Sequence, residues 1–273
     1  MENILKKIVD AKRSEVEHLK KIKPLQTSMI NEKHYSNYSL KKFLSDPEGT
    51  GIIAEFKRRS PSKGNININS DIVRTTTGYI SAGASALSIL TEKNFFEGCN
   101  EDIISARAVN SCPILRKEFI IDEYQLIESK LIGADAILLI AAILTPDEAY
   151  KLASQAREIG LEVLMEVHSE EEISLINEYV DIAGINNRNL NDFSLSLDTS
   201  LELFDMIPEQ FIKISESGID SPEKLLMLKQ KGFKGFLMGE RFMSHEYPEI
   251  ACKDFIKDLK KLSFYTKETI NEN

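Results

Sequence analysis

The sequence has no tryptophan, only three cysteines (Cys99, Cys112, Cys252) and only four histidines (His18, His34, His168, His245) in 273 residues. It contains no CxxC, no HExxH and no Cys/His cluster, so a structural zinc site is not expected. The odd, sparse thiols fit a reducing compartment. Neither Cys99 nor Cys112 has a His/Asp pair nearby in sequence that would make it a nucleophile. No apolar run approaches the roughly 18 residues of a membrane span. The N-terminal MENILKKIVDAKRSEVEHLKK is amphipathic and charged, unlike the apolar core of a signal peptide. A cytoplasmic location is therefore expected. The net charge of −9 argues against nucleic acid or a membrane surface as the main partner. It leaves room for a small anionic substrate, because a local cluster of lysines and backbone N–H groups outweighs charge lying beyond a Debye length of about 8–10 Å.

What is present is a recurring unit. A helical stretch, a glycine and a short apolar run ending in a polar residue appear as SAGASALSILTE, LIGADAILLI, REIGLEVLMEV and KQKGFKGFLMGE. Gly83, Gly133, Gly160 and Gly232 suit the left-handed residue that closes a helix. With IIAEFK, CPILRK, VDIAGINN and FIKISES, strands are expected from near residues 52, 86, 114, 136, 162, 182, 212 and 235. Eight alternating units predict an α/β fold, a (β/α)8 TIM barrel. A doubly wound sheet is the runner-up, weakened because no GxGxxG follows the first strand. Ahead of the barrel, Ile4, Leu5, Ile8, Val9, Val16 and Leu19 share one helical stripe, and Leu40, Phe43 and Leu44 mark a second short helix. A helical extension over 1–48 is expected to pack on a barrel over 49–265, with a polar tail at 266–273.

Strand alternation sorts the stretch IIAEFKRRSPSKG. Ile52, Ala54 and Phe56 should face the helices, while Ile53, Glu55 and Lys57 face the lumen, with the charges nearest the mouth where barrel chemistry sits. Other strand ends are also polar: Arg116-Lys117-Glu118, Glu166, Asn186-Asn187-Arg188 and Ser215-Glu216-Ser217-Gly218. One charged strand end is usually a solvated edge; several together describe a shared polar mouth. After the seventh and eighth strands, SESGI and LMGE place backbone N–H groups of Ser217, Gly218, Gly239 and Glu240 where barrels seat phosphate, unless these are plain turns. Lysines alternating with the carboxylates would repel a cation, so no metal is expected. His168 reads as a loop residue.

These residues carry a resemblance. IIAEFKRRSPSKG, ALSILTEKNFFEG, PILRKEFIIDEYQ, GADAILLIAAIL, EVLMEVHSEEE, GINNRNL, SESGI and FLMGERFM, in order from about residue 50 to 245, resemble indole-3-glycerol phosphate synthases. The resemblance implies conversion of 1-(2-carboxyphenylamino)-1-deoxyribulose 5-phosphate to indole-3-glycerol phosphate, releasing CO2 and water without cofactor or metal. It implies that Lys117 is the general acid at the ribulose carbonyl and Glu166 the general base of the dehydration. Glu55 and Asn186 would orient the sugar hydroxyls and anilino nitrogen, with Glu55 also holding Lys117. Lys57 would bind anionic groups, and which lysine donates in the dehydration stays open. Ser60 and Arg188 would face the departing carboxylate, and Ser217, Gly218, Gly239 and Glu240 the phosphate. Phe95, Phe119 and Leu138 are either walls for the aromatic ring or ordinary barrel packing. Cys99 stands where this family usually has serine. A monomer or weak homodimer acting on a small anionic sugar phosphate is expected.

The rival barrels fit less well. Phosphoribosylanthranilate isomerase would need a cysteine at the end of the first strand, and the tryptophan synthase α subunit paired carboxylates without a lysine on the third. A non-catalytic binding barrel would not need Glu55, Lys57, Lys117, Glu166 and Asn186 together.

Overall fold

The computed structural model describes residues 4–32, 37–190 and 192–271, and His34 lies outside them. Eight parallel strands close into a barrel: β1 (Ile52–Phe56), β2 (Ala86–Leu90), β3 (Ile114–Lys117), β4 (Ala136–Ile140), β5 (Glu162–Val167), β6 (Ile182–Asn186), β7 (Ile212–Glu216) and β8 (Gly235–Met238). Each pairs with its sequence neighbour, and β1 closes on β8 through Ile53 opposite Leu237. The doubly wound alternative is thereby overturned.

Helices α3 (Ile72–Ala82), α4 (Asn100–Val109), α5 (Glu123–Ile132), α6 (Pro146–Glu158), α7 (Glu170–Ile173), α8 (Asp198–Leu203), α9 (Pro222–Lys231), α10 (Glu240–Met243) and α11 (Pro248–Asn271) follow the strands. Local sequence fixes their ends. Asp71, Asp122 and Ser221 accept hydrogen bonds from the first turns of α3, α5 and α9, and Thr145 with Glu148 forms a capping box on α6. Gly83 and Gly133 close α3 and α5 in the left-handed region, at φ 108° and 98°. Backbone of the expected C-terminal tail continues α11 as far as Asn271 instead of leaving the helix.

The alternation holds around the barrel. Ile52, Ala54 and Phe56 pack with the helices in the outer cluster. Ile53, Ala86, Leu115, Ala136, Leu164, Ile182, Ile214 and Leu237, one from each strand, fill the lumen. Below it, α2 (Leu40–Leu44) plugs the floor: Leu40 and Leu44 are buried with the lumen cluster, and Glu162 at the start of β5 accepts from Ser39 Oγ and Lys41 N. Phe43 of that helix faces outward and is exposed.

Helix α1 (Ile4–Ile22) lies over the opposite end, where Ile4, Leu5 and Ile8 line the mouth. Its anchor is Lys12, which is 3% exposed and bonds Glu118 Oε1 at 3.2 Å and Glu15 Oε2 at 2.8 Å. No helix of the described residues is long and apolar enough to cross a membrane.

Candidate active site

Two residues beyond the lumen cluster, the eight strand paths present Glu55, Ser88, Lys117, Leu138, Glu166, Gly184, Glu216 and Gly239. Above them opens a cavity of about 410 Å3. Its lining includes Glu55, Lys57, Lys117, Glu166 and Asn186, together with Ser60, Arg188, Phe119 and Leu138. Ser217, Gly218, Gly239 and Glu240 line it as well. Phe95 does not; its neighbour Phe96 does, stacked near Phe119 at 6.0 Å between ring centroids. The Glu92 carboxylate holds this turn by accepting the backbone N–H groups of Asn94, Phe95 and Phe96, and Phe95 packs against the lumen cluster without lining the cavity.

The charges form two groups. Lys57 Nζ donates to Glu55 Oε1 at 2.6 Å. Lys117 Nζ donates to Glu166 Oε2 at 2.9 Å and to Glu216 Oε2 at 2.5 Å. Glu55 thus holds its own strand neighbour, and the expectation that it grips Lys117 is corrected: Glu166 and Glu216 do that. Glu216 is expected from the sequence as one of the polar strand ends at the mouth, without a role of its own. The alternation that places Ile212 and Ile214 in the lumen puts it there too, so the signal was present in the sequence. Arg116 faces the other way and is structural, bonding Glu128 Oε2 at 2.7 Å and Ser129 Oγ at 3.0 Å.

Two glycines make room for these carboxylates. A Cβ on Gly184 would stand 2.4 Å from Glu216 Oε1, and one on Gly239 would stand 2.5 Å from Glu55 Oε1. Each lies on the path next to the glutamate it accommodates, β6 beside β7 and β8 beside β1.

Burial opposes the charges of Lys117, Glu166 and Glu216, and the partners override it at the first two. Burial disfavours the Lys117 ammonium, but Glu166, Glu216 and Glu55 outweigh it and hold the proton far more tightly than in a free lysine. Burial likewise disfavours the Glu166 anion, yet Lys117 and His168 pull its pKa well below the usual carboxylate range. Glu216 goes the opposite way: burial dominates, Lys117 offsets part of it, repulsion from Glu166 adds to it, and the group is pushed up to about 7. The trio is one ammonium, one firm anion and one carboxyl that titrates near neutrality. His168 lies in the loop after β5, as expected, and is mostly buried there with Nε2 3.3 Å from Glu166 Oε1.

The first loop after β1 is more ordered than its Ser-Pro-Ser-Lys-Gly composition predicts. Arg59–Ser60 and Gly64–Asn65 pair as a short antiparallel hairpin, and Ser60 is buried against the cavity. Opposite, Ser217 and Gly218 take consecutive left-handed conformations, φ 68° and 76°. Asn187 Nδ2 locks that turn by donating to Ser215 Oγ, Glu216 O and Ser217 O at 2.9, 3.0 and 2.9 Å. A Cβ on Gly218 would meet Leu195 at 2.2 Å, so glycine is required there on both counts. Among the described residues no turn, loop or cap hydrogen bond uses the backbone N–H of Ser217, Gly218, Gly239 or Glu240. Four residues with such donors line one cavity, a composition that suits an anion. The Glu240 side chain instead sits at the rim, 3.1 Å from Lys63 Nζ and from Arg188 Nη2.

Comparison with known proteins points the same way as the geometry. The family profile described as indole-3-glycerol phosphate synthase matches residues 5–258. The chain is 47% identical over 263 residues to the indole-3-glycerol phosphate synthase of Bacteroides thetaiotaomicron, covering 95% of this chain and 100% of the relative. It is 42% identical over 258 residues to that of Caldanaerobacter subterraneus subsp. tengcongensis, covering 94% and 99%. Among solved structures, a mutant tryptophan synthase α-subunit from Pyrococcus furiosus superposes with a TM-score of 0.60 at 14% identity, over 78% of this chain and 98% of the other. The 3-hexulose-6-phosphate synthase from Salmonella typhimurium does so with 0.60 at 10%, over 77% and 99%. At such identities these structures share the fold alone.

Proposed function

The chain belongs to the indole-3-glycerol phosphate synthase family, and we propose that Lys117 is the proton donor and Glu166 the base of its reaction. The activity is a carboxy-lyase step of tryptophan biosynthesis: ring closure with loss of CO2, then dehydration, from 1-(2-carboxyphenylamino)-1-deoxy-D-ribulose 5-phosphate to indole-3-glycerol phosphate. The observation that carries the assignment is Lys117 held between Glu166 and Glu216 at 2.9 and 2.5 Å, at the floor of a cavity with apolar walls.

In this reading the substrate phosphate takes the N–H groups of Ser217, Gly218, Gly239 and Glu240. The aromatic ring lies against Leu138, Phe119 and Phe96, under Ile4, Leu5 and Ile8 of α1. Exclusion of water there strengthens every charge interaction at the reacting carbons. As the ring carbon attacks the ribulose carbonyl, negative charge grows on its oxygen, and the Lys117 ammonium stabilises and protonates it. Glu216 is the nearest group able to return a proton to Lys117, because it is the carboxyl that titrates near neutrality. Lys57, set by Glu55, binds the anionic end of the substrate, and Arg188 and Ser60 face the carboxylate that leaves. Asn186, beside Glu216 in the β6–β7 register, orients the sugar hydroxyls and anilino nitrogen. In the dehydration Glu166 removes a proton from the ring carbon next to the one bearing the new hydroxyl, the double bond forms, and the hydroxyl departs as water with a proton from one of the two mouth lysines. No step calls on a metal or cofactor. A monomer or weak homodimer is proposed as the form that acts.

Incubating the purified protein with the carboxyphenylamino-deoxyribulose phosphate and following indole fluorescence tests the assignment. Appearance of the indole signal with stoichiometric CO2 is expected; a folded sample giving neither would sink it.

A further inference from the structure

His168 lies outside the cavity lining, yet it touches the residue assigned as base. Its ring is wedged between two carboxylates, with Nε2 3.3 Å from Glu166 Oε1 and Nδ1 3.1 Å from Glu172 Oε2. The backbone N–H of His168 donates to the same Glu172 oxygen at 2.7 Å, so Glu172 grips the residue twice. The side chain is only 12% exposed.

Geometry decides the ring's protonation. A neutral imidazole has one N–H and one lone pair. Either tautomer would therefore aim a lone pair at a carboxylate oxygen, on one side or the other. Only the doubly protonated ring puts a positive charge, and no lone pair, beside both carboxylates; its Nε2 meets Glu166 as an ion pair, out of line for a hydrogen bond. We propose that His168 is a positioning residue: an imidazolium clamped between Glu166 and Glu172 that sets the direction of the Glu166 carboxylate and keeps it a base. The proposal rests on the reading of Glu166 as base.

The surrounding charges favour the same state. The ring faces Glu166 of β5 and Glu172 of α7, while Lys117 of β3 and Glu216 of β7 lie beyond Glu166. Burial alone would drive the imidazole toward its neutral form; the two carboxylates outweigh it and raise the ring to about 10. With Lys117 on its other oxygen, Glu166 is held between two cations. That leaves Glu166 free to accept a proton only when substrate displaces part of this hold, and it fixes where the carboxylate points until then.

Two measurements test the clamp. In wild-type protein, nitrogen NMR of the His168 ring should show both nitrogens protonated through pH 8.5; a ring that titrates below about pH 7, as an unperturbed histidine does, would overturn the proposal. In the His168→Asn variant, kcat should fall roughly tenfold or more, within the range typical of disturbed general-base catalysis. KM should change by less than about twofold, because no substrate contact is lost. The acid limb of its kcat–pH profile should move to higher pH, since Glu166 protonates more readily without the imidazolium. An unchanged profile in His168→Asn, alongside an inactive Glu166→Gln variant, overturns the clamp and leaves the base intact. Wild-type turnover in Glu166→Gln removes the base and the clamp with it. If His168→Asn does not fold, the wild-type ring protonation decides alone.

Discussion

The ammonium of Lys117 and the carboxylate of Glu216, 99 positions apart in the chain, meet at 2.5 Å inside the barrel. Lys117 shares its protons with Glu166 as well, so two buried carboxylates converge on one cation. One of them must yield, and it is Glu216, whose second oxygen is buried without a hydrogen-bond partner.

This arrangement sets a pH dependence of stability. Folding raises Glu216 from an ordinary value of 4.5 to about 7, so the folded state binds its proton more tightly than the unfolded chain does. The stability from that proton is fully present below about pH 4.5 and is lost as pH rises through about 7. Glu216→Gln removes the buried charge while keeping an acceptor for Lys117. The variant should be more stable than wild type at pH 8, by roughly 1–3 kcal/mol, with the advantage shrinking toward pH 5. Its kcat should nevertheless fall about a hundredfold. Thermal unfolding at the two pH values, with turnover measured alongside, checks both parts.

The two seating glycines give a second prediction. In Gly184→Ala the new methyl meets Glu216 Oε1 at 2.4 Å and Leu164 Cδ2 at 3.0 Å, so the carboxylate must swing away from Lys117. A loss of about a hundredfold in kcat is expected, because a displacement near 1 Å can have that effect. Gly239→Ala should act on the other pair, moving Glu55 off Lys57 and raising KM more than it lowers kcat. Steady-state kinetics of both variants separates the outcomes.

A third prediction concerns the position where a serine was expected. Cys99 is the N-cap of α4 and makes no side-chain cap hydrogen bond. Its backbone is already extended, at φ −155° and ψ 159°, as a cap requires. Cys99→Ser should supply the missing acceptor and stabilise the protein by about 1 kcal/mol, or roughly 2–4 °C in Tm, without changing kcat. Calorimetry of the two proteins under reducing conditions measures it.

What was legible in the sequence divides along the range of the interaction. Glu55 and Lys57 are two apart on one strand, so alternation alone put them on one face and their ion pair followed. The strand starts, the left-handed glycines and the glycine turns after β7 and β8 are likewise local patterns. The partners of Lys117 are not local: which carboxylates reach it depends on the stagger of strands that are neighbours only after the barrel closes. Phe95 and Phe96 lie in an irregular turn held by Glu92, which leaves no periodic trace of which ring lines the cavity. Lys12 falls between Ile8 and Val16 on the buried stripe of α1, but its partner Glu118 comes from a loop more than a hundred residues away, so nothing local identifies that partner. His168 reads as a loop residue and lies in the loop after β5, but its significance resides in the two carboxylates around it, which are set by tertiary contact.

The most direct test of the account is turnover of Lys117→Ala on the carboxyphenylamino-deoxyribulose phosphate, followed by indole fluorescence on protein verified as folded. Removing the ammonium leaves Glu166 and Glu216 without their shared cation. Some stability, about 1–3 kcal/mol, should be lost until one carboxyl takes a proton. The account predicts that turnover falls about a thousandfold or more while substrate binding persists. A folded Lys117→Ala protein that forms indole-3-glycerol phosphate near the wild-type rate would contradict it.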